Sequence, residues 1–277
     1  MRAVLNAYGR AVLSQLQARM LLLSLLPFVL SVALWGVLLF FGLQPLLDYL
    51  HGLFIEHDLF KLSNGWLASL GLGMLKTVVV PFVAMLLLLP LMIMTALVFI
   101  GVAAMPVVVR HVGGRHYAGL QQRHGGSLLG SAGTALAAVL VFAVLWLLTL
   151  PLYAIPPLAV LLQVALWGWL TSRVMVYDAL ADYASVAERQ GILRRHRWPL
   201  LAIGVVSGLA GALPGLLWVG GSVMAVVLFP FLAALSIWLY ILVFIFTGLW
   251  FTYYCLEALA ALRVEQAAAI EAVMAAE

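Results

Sequence analysis

Charge is what this chain has least of. Asp, Glu, Lys and Arg make up 9% of its 277 residues, against 66% hydrophobic ones; soluble domains carry about 25% charged residues. So few charges cannot clothe a water-facing surface, which excludes a soluble globular protein and makes lipid the solvent for most of the outside. Cysteine is almost missing too. Cys255 stands alone, so no intramolecular disulfide can form, and a single thiol in an apolar helix reads as a packing residue. No long apolar run holds an Asp, Glu, Lys or Arg in its interior, whereas coupled pumps place ionisable groups at the midplane. Paired intramembrane aspartates, a Ser/His pair and a zinc-type His-Glu-x-x-His are absent from the spans, as is a phosphate-cradling Gly-rich loop ending in Gly-Lys-Ser/Thr. These absences point away from an enzyme or a nucleotide-driven motor and predict no cofactor and no metal. The net charge of +4 sits in short arginine clusters beside apolar stretches, where it marks topology and meets anionic headgroups rather than nucleic acid.

Four uncharged runs organise the chain: 20–47, 77–109, 127–172 and 198–256. Spanning segments must be helical, because in hydrocarbon every backbone polar group needs an internal partner. At ~20 residues per crossing the first two runs predict long single spans, and the last two are too long for one helix. Pro151, Pro156 and Pro157 break the third; Gly211, Pro214, Gly215, Gly220 and Gly221 break the fourth. Proline removes an amide donor and glycine loosens the backbone, so these are turns. The sequence therefore predicts an all-α polytopic membrane protein, 1–277 as one integral membrane domain. It has two long transmembrane helices and two Pro/Gly-broken hairpins, about six apolar helices in all. Both hairpin turns are uncharged, and either full crossing or partial, re-entrant penetration is compatible with that.

Charge asymmetry sets the orientation. Arg2, Arg10 and Arg19 precede the first run with no acid; Arg110, Arg115 and Arg123 lie between 110 and 126 with none; five arginines face three acids between 173 and 197; the loop at 48–61 holds three acids and only Lys61. By the positive-inside rule the amino end (1–19), the basic 110–126 loop, the 173–197 segment and the tail (257–277) are cytoplasmic, and 48–61 is external. In a bacterial-type cell this is an inner-membrane, multi-pass protein with both termini inside.

Three segments could carry chemistry. His111, His116 and His124 lie five and eight residues apart with no carboxylate or thiol nearby, which suits a headgroup-hugging loop better than a metal site. The stretch 173–189 reads as an amphipathic interfacial helix with Asp178, Asp182, Ser185 and Arg189 along one stripe. Arg194, Arg195 and Arg197 before Trp198 form a basic and aromatic anchor. Gly126-x-x-x-Gly130 and Gly204-x-x-x-Gly208 allow close helix approach.

The segment from Trp167 to Ser185, with Tyr177-Asp178-Ala-Leu-Ala-Asp182 at its centre, resembles the superfamily joining the etoposide-induced-protein family and the bacterial CysZ sulfate permeases. The order of parts agrees over most of the chain. The resemblance implies long spans, hairpins that penetrate the bilayer in part, homo-oligomers and the passage of sulfate or another small oxyanion without ATP. Those permeases carry a Gly-Leu-Arg-Arg type motif at the start of the first long helix. Here that stretch is Ser14-Gln-Leu-Gln-Ala-Arg19, so Arg19, with Arg10, is the candidate anion contact. Tyr177, Asp178, Asp182 and Ser185 are family-motif positions without an assigned role. A non-transporting scaffold or bilayer-shaping protein is the other reading.

Overall fold

The computed structural model describes residues 2–56, 84, 88, 91–92, 95, 101, 104–154, 156–216 and 228–275. Among these, all regular structure is helical. Eight α-helices follow in order: α1 (Arg2–Gln15), α2 (Ala18–Glu56), α3 (Met105–His116), α4 (Leu128–Thr149), α5 (Pro156–Leu180), α6 (Val186–Arg195), α7 (Arg197–Leu216) and α8 (Phe229–Met274). Four of them contain stretches long and apolar enough to cross a membrane: Met20–Leu50, Leu129–Leu152, Val160–Leu180 and Phe231–Met274. This is an all-α, multi-pass membrane protein.

α4 shows what the missing charge means physically. Only 6% of its apolar stretch is buried within the chain, and Leu129, Leu136, Leu140 and Leu148 all stand exposed. Such a face is stable only against hydrocarbon. Its 22 residues give about 33 Å of helix, close to the ~30 Å hydrocarbon core. A short 3-10 turn, Leu150–Ala154, then leads into Pro156, whose fixed φ suits a first helical position. α4 and α5 pack on each other, with the Phe142 and Trp167 rings 5.0 Å apart. Both arms of the 127–172 hairpin are thus long enough to cross.

Several expected boundaries move. The 173–197 segment is not one amphipathic helix. Residues 173–180 are the end of α5, the chain turns at 181–184, and Ser185 caps a new helix. The stripe from Asp178 to Arg189 runs across that turn, so its spacing carried no helical register. The 110–126 loop begins as helix, because α3 continues to His116. The amino end is a packed helix with Val4, Ala7, Ala11 and Ser14 buried. The first long helix continues past Asp48 to Glu56, so 48–56 is not loop. It is helical through Pro27 and Pro45; membrane helices tolerate such prolines where other groups satisfy the freed carbonyls. The tail after Glu257 is the continuation of α8. Of the expected break at 211–221, Gly211, Pro214 and Gly215 do not end the helix, since α7 runs on to Leu216; residues 217–221, most of the expected 77–109 span and residues 57–61 lie outside the described residues.

The chain divides into two compact units. One comprises Met1–Ser24, Ile100–Ala212 and Leu242–Glu277; the other Leu25–Phe99 and Leu213–Ile241. In the second unit the Trp35 indole donates to Thr95 Oγ1 at 2.8 Å, and Leu50 packs with Ala84. The first unit has the larger described core. Ile245, Leu249, Phe251, Tyr253 and Leu256 of α8 are buried together with Val108 and Val112 of α3, Val176 and Leu180 of α5, and Ile203 of α7. Two glycines set the α5–α7 crossing. A Cβ on Gly204 would strike the Gly168 carbonyl, and one on Gly168 would strike Val205, so the two backbones touch there.

A charged clamp at the α5–α6 turn

The family-motif residues and much of the polar chemistry of the first unit gather where α5 turns into α6. The turn is built locally. The Ser185 hydroxyl accepts from the Glu188 amide at 3.2 Å, and the Glu188 carboxylate accepts from the Ser185 amide at 2.8 Å. This is a capping box, two orphan amides satisfied reciprocally. Glu188 is only 5% exposed, so its charge needs further partners. Arg263 of α8 supplies them with both arms of its guanidinium, Nε to Oε1 at 2.9 Å and Nη2 to Oε2 at 3.2 Å. Arg123 adds a contact to Oε1 at 3.0 Å. Burial alone would raise the Glu188 carboxyl; the Arg263 fork, the Ser185 amide and Arg123 outweigh it and hold the group below its usual range.

The same Arg263 donates to two backbone carbonyls, Gln121 at 2.8 Å and Tyr183 at 2.7 Å. One side chain thereby ties α8 to the 117–127 loop and to the α5–α6 turn. The loop is laced to the turn by its backbone as well: the His124, Gly125 and Gly126 amides donate to the carbonyls of Asp182, Ala184 and Ala181 at 3.0, 3.1 and 2.9 Å. His124 adopts φ 45°, a left-handed conformation uncommon outside glycine. A Cβ on Gly125 would collide with the Ala184 carbonyl, and one on Gly126 with Ala181. These glycines are required for contact, and the close approach explains their place next to the strained histidine.

Each of the four motif residues has a place in this clamp. The Tyr177 hydroxyl accepts from the Ser127 amide at 3.3 Å, at the start of α4, and its ring carries the Arg189 guanidinium 4.2 Å above its centre. Arg189 reaches on to the Gly125 carbonyl at 3.2 Å. Asp178 accepts a short hydrogen bond from the Ser131 hydroxyl of α4. Asp182 faces Arg110 at 3.8 Å, and Ser185 is the cap. Glu188 and Arg263, which organise the centre, were not picked out from the sequence. Ser185-x-x-Glu188 was a legible capping signature; nothing local marked Arg263.

The candidate anion contact Arg10 lies at a neighbouring polar site of the same unit. Its Nη1 donates to Glu257 Oε2 at 3.3 Å and to the Tyr117 hydroxyl at 3.4 Å. Beside it the Ser14 hydroxyl bonds the Tyr253 hydroxyl at 2.6 Å, and that hydroxyl meets His116 Nδ1 at 3.4 Å. Partial burial, with Arg115 and Arg10 nearby, holds the His116 imidazole below its usual range, and burial, aided by Glu257, pushes the Tyr117 phenol up. Arg115 donates to Gln17 Oε1 at 3.1 Å, between α1 and α2. Arg19 is the second residue of α2, and Gln15 just before it has both carboxamide atoms buried without a hydrogen-bond partner. Among the described residues no group of three or more His, Cys, Asp or Glu is placed to hold a metal ion.

No curated protein and no solved structure matches the chain. A family match covers residues 7–220, from within α1 past the end of α7 and so without Arg263, and its description is Sulfate transporter CysZ/Etoposide-induced protein 2.4. Spanning well over half of the sequence, this match places the chain in that family.

Proposed function

We propose that the protein is an inner-membrane permease or channel-like path for a small solute, sulfate or a related oxyanion, working without ATP and with both termini in the cytoplasm. Membership of a family whose description names a sulfate transporter carries this reading. Two features support it. The four uncharged runs hold no ionisable couplers, and Asp178, inside the candidate span Val160–Leu180, is engaged by the Ser131 hydroxyl; this favours a facilitated path over a proton-driven one. Near the junction of α1 and α2, Arg115 reaches Gln17 and Arg10 pairs with Glu257, Arg19 lies in the first turn of α2, and the unpartnered Gln15 amide ends α1. Guanidinium groups and amide donors suit a tetrahedral oxyanion, and an unmet buried donor calls for an acceptor.

Uptake of radiolabelled sulfate into proteoliposomes, with chloride and protein-free vesicles as controls, tests the proposal. Saturable sulfate entry above the protein-free rate, reduced by Arg19→Ala without loss of membrane insertion, is the expected result. No flux of any oxyanion above that rate would overturn it and leave the scaffold reading.

A further inference from the structure

α5 and α7 touch at Gly168 and Gly204, and residues that follow Gly168 on α5 face residues that precede Gly204 on α7 across a gap, so the two helices run antiparallel there. That gap is a cavity of about 300 Å³ with a divided character. Its walls carry Trp169 and Arg173 from α5 and Arg197 and Trp198 from α7, while Leu193 of α6 and the buried Leu200 of α7 supply an apolar floor. Each arginine stacks on its own indole, Arg173 at 5.7 Å from the Trp169 ring and Arg197 at 5.4 Å from that of Trp198. Among the described residues neither guanidinium has a carboxylate within ion-pair distance, whereas Arg10, Arg110, Arg123, Arg195 and Arg263 all do.

We propose that this groove binds one anionic phospholipid, its phosphate held between Arg173 and Arg197 and an acyl chain lying along Leu193 and Leu200. Two uncompensated guanidiniums on one rim call for a phosphate, which Arg recognises through paired N–H donors. The apolar floor calls for hydrocarbon attached to that phosphate, and a soluble anion would leave it wet. Position agrees. Arg173 is the first charge after the uncharged run 127–172 and Arg197 the last before the run 198–256, where apolar segments meet charge, and tryptophan is the residue of the headgroup level. The stacked indoles also hold the guanidinium planes in place before the lipid arrives, so less side-chain freedom is lost on binding.

The test uses the full-length protein, purified in detergent, delipidated and read by native mass spectrometry with phosphatidylglycerol or phosphatidylcholine of matched chains. Phosphatidylglycerol should be retained as a single tight adduct with a preference of about 30-fold, the selectivity two interfacial guanidiniums confer. In the Arg173→Gln/Arg197→Gln double variant that preference should collapse. Arg173→Lys/Arg197→Lys should keep much of it with the fold untouched, and Arg194→Gln, which changes an exposed arginine outside the groove, should keep all of it. Equal retention of the two lipids would overturn the proposal. So would an equal loss in Arg194→Gln, which would mean a diffuse basic surface, or displacement of the lipid by inorganic phosphate or sulfate, which would mean a site for a soluble anion.

Discussion

Replacing Arg263 by Met keeps an unbranched, flexible stem and deletes four hydrogen bonds, two to Glu188 and one each to the carbonyls of Gln121 and Tyr183. Glu188 is left with a side chain only 4% exposed, its own capping amide and Arg123. Breaking a buried pair by removing one partner costs about 3–5 kcal/mol, and that is the loss expected for Arg263→Met. Arg263→Lys retains the charge but brings three donors on one nitrogen to acceptors on three residues. It should lose about 1–3 kcal/mol, the worth of one or two charge-assisted bonds. Arg123 is 48% exposed, so Arg123→Gln should cost less than about 1 kcal/mol. Unfolding in mixed micelles with rising SDS, followed through the nine tryptophans, measures these differences. A cycle with Glu188→Gln isolates the pair, and the coupling should be about 2 kcal/mol. A coupling below about 0.5 kcal/mol, typical of independent sites, or a Lys variant as stable as the native chain would refute the clamp as an energetic unit.

The glycine crossing makes a second prediction. Gly204→Ala should destabilise by about 1–3 kcal/mol, because its Cβ strikes backbone that cannot yield, while Gly208→Ala, whose nearest neighbour is 3.9 Å away, should be close to neutral in the same assay. Acid should loosen the protein in two windows. Burial, with Arg195 beside it, lowers the His196 pKa, so the unfolded chain binds its proton first and stability falls as pH drops below the ordinary histidine value of 6.5. The stability Glu188 contributes is fully present above its ordinary 4.5 and is lost as pH falls through its lowered folded value. A pH series of unfolding midpoints should show the lower step vanish in Glu188→Gln and the upper one weaken in His196→Phe.

The membrane class, the helical fold and the 127–172 hairpin were legible because each follows from a one-dimensional signal: missing charge, run length, three prolines. The stripe Asp178, Asp182, Ser185, Arg189 misled because helical spacing cannot see a turn. The capping pair Ser185 and Glu188 marked the true start of α6 and outranks periodicity at a boundary. The packed α1 had a signal too, in the three- and four-residue spacing of Val4, Ala7, Ala11 and Ser14, masked by the topological meaning of its arginines. The partnership of Glu188 with Arg263 had none. Their separation of 75 residues is bridged by tertiary structure alone, and a residue whose partner lies that far off looks in sequence like any surface charge.

That separation has a consequence for how the protein is made. Glu188 leaves the ribosome 75 residues ahead of Arg263, a delay of about 4–15 s at ordinary synthesis rates. Through that interval the carboxylate has only Arg123 and its own cap, and the turn must stay hydrated. When α8 arrives, one guanidinium displaces that water, closes the carboxylate and fastens the 117–127 loop in the same event. A helix made later is therefore the one that dries and seals a joint assembled from earlier ones, and a chain cut short before Arg263 would leave that joint open.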